Sequence, residues 1–457
     1  MQHLRTLRFL SLASLSLTVL LTYVASRFPL FDSSPLLLLS PEQGFFAKAA
    51  FPLLRWDTFH FAQIAQEGYV YEYEWAFFPG APFVMRTFGE ALRRLRADDK
   101  LTIAHLLLGG GLSSLFCGTT TTLYDLTMHC FGSPAIAYLT CLLSLLPSSP
   151  ATLRFSAYTE PFFTYFSYRG KGLYTWCFVS AEIGEGMLCC VRSEWLHASL
   201  FFAVASTFRS NGFMLAGYIL WGILFGPFLA RQKVSVLLAV HQLIADTLGQ
   251  ISWLRVVKTG LLTSLVFAPF LYHQYNAYQK FCIGSKLARL PPWCSAIPPF
   301  AYSYVQEKYW NVGFLRYWTP SQAPNILLAA PVLGVLLTFC VKHTLNATVP
   351  FVLSHPLLSR TSRLLPASLR LPSSSSPFLT NRNIVPHVLH AFVLGLVLLL
   401  AAHTQIALRL AISLPTTYWA AAWLVVEHPR AGKWWITWSV VWGAISIVLW
   451  AVFLPPA

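Results

Sequence analysis

LRFLSLASLSLTVLLTYV, residues 7–24, is the stretch on which the fold turns. Its only charge is Arg8, with Arg5 just before it. A membrane-crossing helix needs about 20 mostly apolar residues for a hydrocarbon core of roughly 30 Å, and this run is close to that. A basic start with an apolar run also fits a signal peptide. The exit, YVASRFPLF, is a poor small-residue cleavage site and favours a retained signal anchor.

Similar runs recur near residues 101–118, 131–148, 160–178, 195–207, 212–230, 255–275, 324–341, 384–403, 410–427 and 434–453, of which 160–178 and 195–207 are the weakest. Composition agrees. The 457 residues are 56% hydrophobic and only 11% charged, against roughly 25% charged in soluble proteins, and the mean hydropathy is +0.56. So much apolar surface excludes a soluble enzyme, a disordered tail and a DNA-binding domain. The net charge of +15 reads as topology rather than as nucleic-acid affinity, because basic residues gather in cytoplasmic loops. With a cytoplasmic N-terminus, 16 of the 32 basic residues fall in short cytoplasmic segments and eight in short segments opposite. The expectation is an all-α polytopic membrane protein forming a single integral membrane domain over residues 1–457, with about eleven transmembrane helices.

Three hydrophilic stretches interrupt the runs. Residues 26–100 are expected as a long first lumenal loop, residues 273–323 as a second, and residues 342–383, containing SSSSP, as a flexible cytoplasmic linker. No internal repeat is visible, which weakens a transporter built from duplicated halves. Most of the nine cysteines lie in apolar runs, but Cys282 and Cys294 sit in the second lumenal stretch. An oxidising lumen would permit a disulfide between them; two free thiols are the alternative. The sequon Asn346-Ala-Thr348 falls on the expected cytoplasmic face and should be unused.

Ionisable groups at or in a bilayer are costly and face cavities or partners when they persist. Five clusters qualify. RWDTFHFAQIAQEGYVYEYEWAFFPGAP, Arg55–Pro82, would place Asp57 and His60 on one helix face at i, i+3; equally, Asp57 could simply cap its own helix. RFSAYTEPFF, Arg154–Phe163, carries Glu160 before a proline that opens an apolar run, as a functional acid or as one compensating a helix dipole. FRSNG, Phe208–Gly212, puts Arg209 between apolar runs, where a snorkelling arginine is the bland reading. YSYVQEKYWNVGFLRYWTPSQAPN spans Tyr302–Asn325, and HTQIALRLAISLPTTYW, His403–Trp419, brings His403, Gln405 and Arg409 to one edge. Each alone is weak; all five map to the same membrane face. There is no Walker loop, dinucleotide glycine pattern or HExxH, no zinc-spaced Cys/His set and no GxSxG elbow. Gly109-Gly110-Gly111 reads as helix packing.

These blocks, with the FC…PPWC pair, resemble in order those of the GPI mannosyltransferase II family, the PIG-V type, over nearly the whole chain. The resemblance implies a GT-C glycosyltransferase fold in the endoplasmic reticulum membrane. It implies transfer of the second, α(1→6)-linked mannose from dolichyl-phosphate-mannose to a GPI precursor glycolipid at a lumenal site, with a small accessory membrane subunit as a further expected partner. No cofactor beyond the lipid-linked donor is called for and no acidic cluster is dedicated to a metal. In related enzymes an acid of the first lumenal loop lies near the transferred sugar; the match falls on Asp57, and Glu72 is a second motif position, whereas Glu74 is not carried over. His60, Glu160, Arg209, His403, Gln405 and Arg409 are the expected substrate-binding residues. In one place this chain departs from the family. After SYRG its members pass almost directly into a segment like MLCCVRSEWLHASL, while here KGLYTWCFVSAEIGEG, Lys171–Gly186, intervenes. That points to a retained intron or gene-structure error, with a genuine cytoplasmic insertion as the alternative. The rival functions are a transporter or scramblase, which would want polar residues at mid-span, and another dolichol-dependent transferase with a different acceptor.

Overall fold

The structure, a computed structural model, describes residues 2–40, 42, 44–146, 150–168, 186–227, 253–284, 290–353 and 374–454. Every regular element among them is helical. Five helices are long and apolar enough to cross a membrane: Gln2–Ala25, Trp253–Ile283, Pro320–Leu353, Arg382–Leu400 and Pro429–Ala451. The other six expected spans fall on shorter helices. Ile103–Ser114, Pro134–Ser144, Trp195–Ser206 and Ser210–Phe225 are among these; Thr159–Tyr168 and Pro415–Glu427 complete the set. Parts of three of the expected runs, 147–148, 169–178 and 228–230, lie outside the described residues. An apolar run reports burial, not what does the burying. In Pro415–Glu427 every residue from Pro415 to Leu424 is buried, so protein surrounds this helix on all sides, as a helix apolar all round requires.

The interhydrophobic segments also differ from expectation. Residues 26–100 are largely helical, with Asp57–Glu67 and Gly80–Arg96 as the longest pieces. Gly80–Arg96 packs on Ile103–Ser114 so closely that a Cβ on Gly109 would lie 2.4 Å from the Gly89 nitrogen. Residues 342–383 are not one linker, because the preceding helix continues to Leu353 and Phe378 and Leu379 are buried again; residues 354–373 lie outside the described residues. So do all but the last residue of the 171–186 stretch. Asn346 is buried, and its side-chain amide donates to the Lys342 carbonyl at 2.8 Å.

One end of the bundle is built around Arg55, whose side chain is fully buried. The guanidinium donates to the carbonyls of Trp450 (2.9 Å), Ala451 (2.8 Å), Phe51 (2.9 Å) and Leu54 (2.7 Å). Trp450 and Ala451 end the last long helix, whose terminal carbonyls lack partners within the helix and carry the negative pole of its dipole. A buried cation there satisfies both needs at once. It ties the C-terminus of Pro429–Ala451 to the chain just before Asp57, and Trp450 answers with an indole bond to the Pro52 carbonyl at 2.9 Å.

Candidate active site

Trp56, between Arg55 and Asp57, has φ +37°, a left-handed conformation that costs a non-glycine residue on the order of 1–3 kcal/mol and persists only where its surroundings hold it. The holding is visible: the indole stacks on Phe453 at 5.4 Å and meets Trp450 edge-on at 5.1 Å. The turn it makes sets Asp57 as the first residue of helix Asp57–Glu67. The carboxylate makes no capping bond to its own helix; it reaches a guanidinium instead.

That guanidinium is Arg409, with Nη1 2.8 Å from Asp57 Oδ2 and Nε 2.7 Å from Glu160 Oε1. Arg209 Nη1 lies 2.7 Å from the same Glu160 oxygen. Four residues from four separate parts of the chain thus form an alternating chain of charge, Asp57–Arg409–Glu160–Arg209, with no net charge when all are ionised. Thr159 hydroxyl donates to Glu160 Oε2 at 3.2 Å, and the Tyr158 ring lies under the Arg409 guanidinium at 5.1 Å. The Tyr158 hydroxyl accepts from the Asp57 backbone N–H (3.2 Å) and donates to the Arg55 carbonyl (3.0 Å). Exposure separates the two acids: the Glu160 side chain is 2% exposed and that of Asp57 27%. Glu160 is walled in by arginines, whereas Asp57 can meet something that arrives from outside.

The remaining expected site residues lie elsewhere. The His60 ring stacks on Phe77 at 4.5 Å and meets Tyr73 at 5.6 Å. Burial pushes its pKa below the ordinary value, against the pull of Asp57 and Glu74. His403 Nε2 bonds the Trp310 carbonyl at 2.7 Å, and its ring stacks on Tyr317 at 4.7 Å. Gln405 accepts from the Tyr317 hydroxyl at 2.9 Å. Both fasten the 273–323 segment to the bundle.

Glu72 belongs to a separate clasp between the two long hydrophilic segments. Its carboxylate accepts from Trp293 Nε1 (3.0 Å), the Tyr309 hydroxyl (2.9 Å) and Lys308 Nζ (2.9 Å). Burial alone would raise its pKa, yet the bonds from Lys308, Trp293 and Tyr309 hold it below the ordinary carboxylate value. Nearby, Cys282 and Cys294 are joined in a disulfide with Cα atoms 5.6 Å apart, and Lys280 donates to the Tyr69 carbonyl. Glu74, fully buried, closes the turn before it by accepting from the backbone N–H groups of Val70 and Tyr71. Sequence reasoning missed Tyr158 and Arg55. Tyr158 stands two residues before Glu160 in a quoted cluster, and Arg55 opens the first; neither residue type signals a role by spacing.

A family model described as Mannosyltransferase (PIG-V) matches residues 6–457. GPI mannosyltransferase 2 of Cryptococcus neoformans var. neoformans serotype D (strain JEC21) is 34% identical over 460 residues, covering 97% of this chain and 96% of its own. GPI alpha-1,6-mannosyltransferase 2 of Homo sapiens is 32% identical over 404 residues, covering 82% of this chain and 73% of its own. Among solved structures, the apo oligosaccharyltransferase of Archaeoglobus fulgidus aligns with 97% of this chain and 56% of its own at 11% identity, with a TM-score of 0.39.

Proposed function

This chain belongs to the Mannosyltransferase (PIG-V) family, and we propose that it adds the α-1,6-linked second mannose of the GPI-anchor precursor, drawing it from dolichyl-phosphate-mannose on the lumenal side of the endoplasmic reticulum membrane. In this reading the bundle is a GT-C fold in which the shorter helices complete the membrane domain. The segments 26–100 and 273–323 form the lumenal face, and an accessory membrane subunit completes the assembly.

The observation that carries the mechanism is the partly exposed Asp57 at the end of a neutral carboxylate–guanidinium chain. The donor linkage is β and the product linkage α, so a single inverting displacement suffices. The acceptor hydroxyl oxygen attacks the mannosyl anomeric carbon, and its proton passes to the Asp57 carboxylate, which must lie within about 3 Å of it. The bond from the anomeric carbon to the phosphate oxygen breaks, and its electron pair leaves with dolichyl phosphate. The same geometry of base and departing group opposite each other governs inverting glycosidases. As Asp57 gains the proton it loses its charge, and its hold on Arg409 weakens as the phosphate gains charge. The Arg409 guanidinium can then follow the charge, since arginine forks suit phosphate oxygens. Arg209 is the second candidate cation, and Glu160 keeps the two side by side.

Asp57→Asn tests this reading. The amide keeps the shape but cannot take a proton, and loss of a general base costs roughly 10²- to 10⁴-fold. Arg409 retains Glu160, so the variant should reach the membrane folded. Mannosyl transfer is measured in membranes supplied with dolichyl-phosphate-mannose and the one-mannose precursor; near-normal product from the variant would remove Asp57 from the chemistry. Because the scheme calls on no metal, activity should also survive treatment with a chelator, and loss restored by a divalent cation would overturn that part.

A further inference from the structure

The two long helices Ala323–His343 and Pro429–Ala451 leave a crevice between them, roofed by Trp423 of the buried helix, with a volume of about 540 Å³. That lies within the roughly 300–1,000 Å³ of small-molecule sites. Trp423, Trp434, Trp435 and Trp438 line it with indole, and Lys342 and His428 are its basic groups. Both sit far from Asp57. The Pro429–Ala451 helix meets Arg55 at its C-terminal end and has His428 just before its first residue, and its 23 residues rise about 34 Å. The crevice therefore begins at the opposite membrane face and runs along apolar helix toward mid-bilayer.

We propose that this crevice is a binding site for an anionic phospholipid, its phosphate at Lys342 and His428 and an acyl chain among the indoles. Four features converge on a negative headgroup. Lys342 has no carboxylate partner among the described residues; its ammonium lies over the Trp423 ring at 5.0 Å. The first turn of the 23-residue helix carries no acid. Arg430 and Lys433 follow on that exposed turn. The neighbouring acid, Glu427, accepts from the Trp423 indole at 2.9 Å and from the Ser376 hydroxyl rather than pairing with Lys342. Basic pockets between membrane helices are suited to such headgroups, and indoles to the interfacial depth. The crevice is also open to a chain: a Cβ placed on Gly334, on its wall, would meet no atom within 4 Å.

The test uses the full chain, reconstituted in vesicles of phosphatidylcholine with a minority of phosphatidylinositol, extracted in mild detergent and weighed by native mass spectrometry. Phosphatidylinositol should be retained in preference to the more abundant phosphatidylcholine. Lys342→Ala should lower that retention about fivefold, the worth of one basic residue near a membrane surface, while Lys342→Arg keeps it. Gly334→Leu should abolish it by filling the crevice, and a leucine favours the helix over glycine, so that variant keeps its fold even if Lys342→Ala does not. Equal retention of both lipids, or retention untouched by Gly334→Leu, overturns the proposal. So does a stoichiometric membrane protein that co-purifies with the chain and is lost from Gly334→Leu, which would make the crevice a protein interface.

Discussion

Two carboxylates of the same segment, Asp57 and Glu72, both end on a cation at hydrogen-bonding distance, 2.8 Å from Arg409 and 2.9 Å from Lys308. Their surroundings make them different objects. Arg409 is 15% exposed and shares Glu160 with Arg209; Lys308 is 45% exposed and, among the described residues, has only Glu72 as an acid partner. In the first cluster Arg409 bridges two acids and Glu160 bridges two arginines, so each charge depends on the next and a change at one member is felt by the others. In the second, water can replace the ammonium, and two neutral donors, Trp293 and Tyr309, remain to hold the acid. Motif position alone ranks the two acids together. The charged partners separate them: Asp57 is tied into a network of two arginines and a second acid, Glu72 to one lysine and two neutral donors.

Removing Glu160 should break the comparison most strongly. Glu160→Ala leaves two guanidiniums in a protein interior with only Asp57 between them, and uncompensated buried charge costs about 3–5 kcal/mol. A marked fall in the thermal midpoint of the detergent-solubilised protein is expected, together with lost transfer. An unchanged midpoint would mean that water reaches the arginines freely and that the cluster is not the closed unit described. Arg409→Ala should act more selectively, because Glu160 keeps Arg209. A charged hydrogen bond to the donor phosphate is worth roughly 1.5–3 kcal/mol, so the apparent KM for dolichyl-phosphate-mannose should rise by about ten- to hundredfold. A lower midpoint with an unchanged KM would make Arg409 a structural arginine.

How far these clusters could be read beforehand follows from what sequence encodes. Asp57, Glu160, Arg209 and Arg409 stand out because charge at the edge of an apolar run is costly, and that cost is local to each residue. That Arg409 bridges the two acids is not local; it depends on how four distant segments dock. Tyr158 and Arg55 stayed hidden for the same reason, since a tyrosine in an apolar stretch or an arginine before a tryptophan has many ordinary explanations. Glu72 was grouped with Asp57 because sequence shows a motif but not the direction its side chain takes. The helices were nearly all located, but composition does not distinguish apolar surface facing lipid from the wholly enclosed face of Pro415–Leu424.

The smallest expected effect sharpens the other side of the comparison. An exposed ion pair contributes about 0–1 kcal/mol, so Glu72→Gln should leave the fold and most of the transfer intact. Its signature is in pH. Bonds from Lys308, Trp293 and Tyr309 hold the Glu72 carboxyl below its ordinary 4.5 in the folded protein. A carboxyl whose folded pKa is depressed stabilises fully above its unfolded value and loses that contribution as pH falls through the folded one. The clasp should therefore loosen in the native chain as pH drops below about 4.5, and this increment should be missing from Glu72→Gln. Amide exchange across residues 290–311 reads it: subtracting the variant's pH profile from the native one removes the other carboxylates, whose titration is common to both. A difference profile that is flat across that window would show that the neutral donors alone carry the clasp and that the Lys308 charge contributes nothing to it.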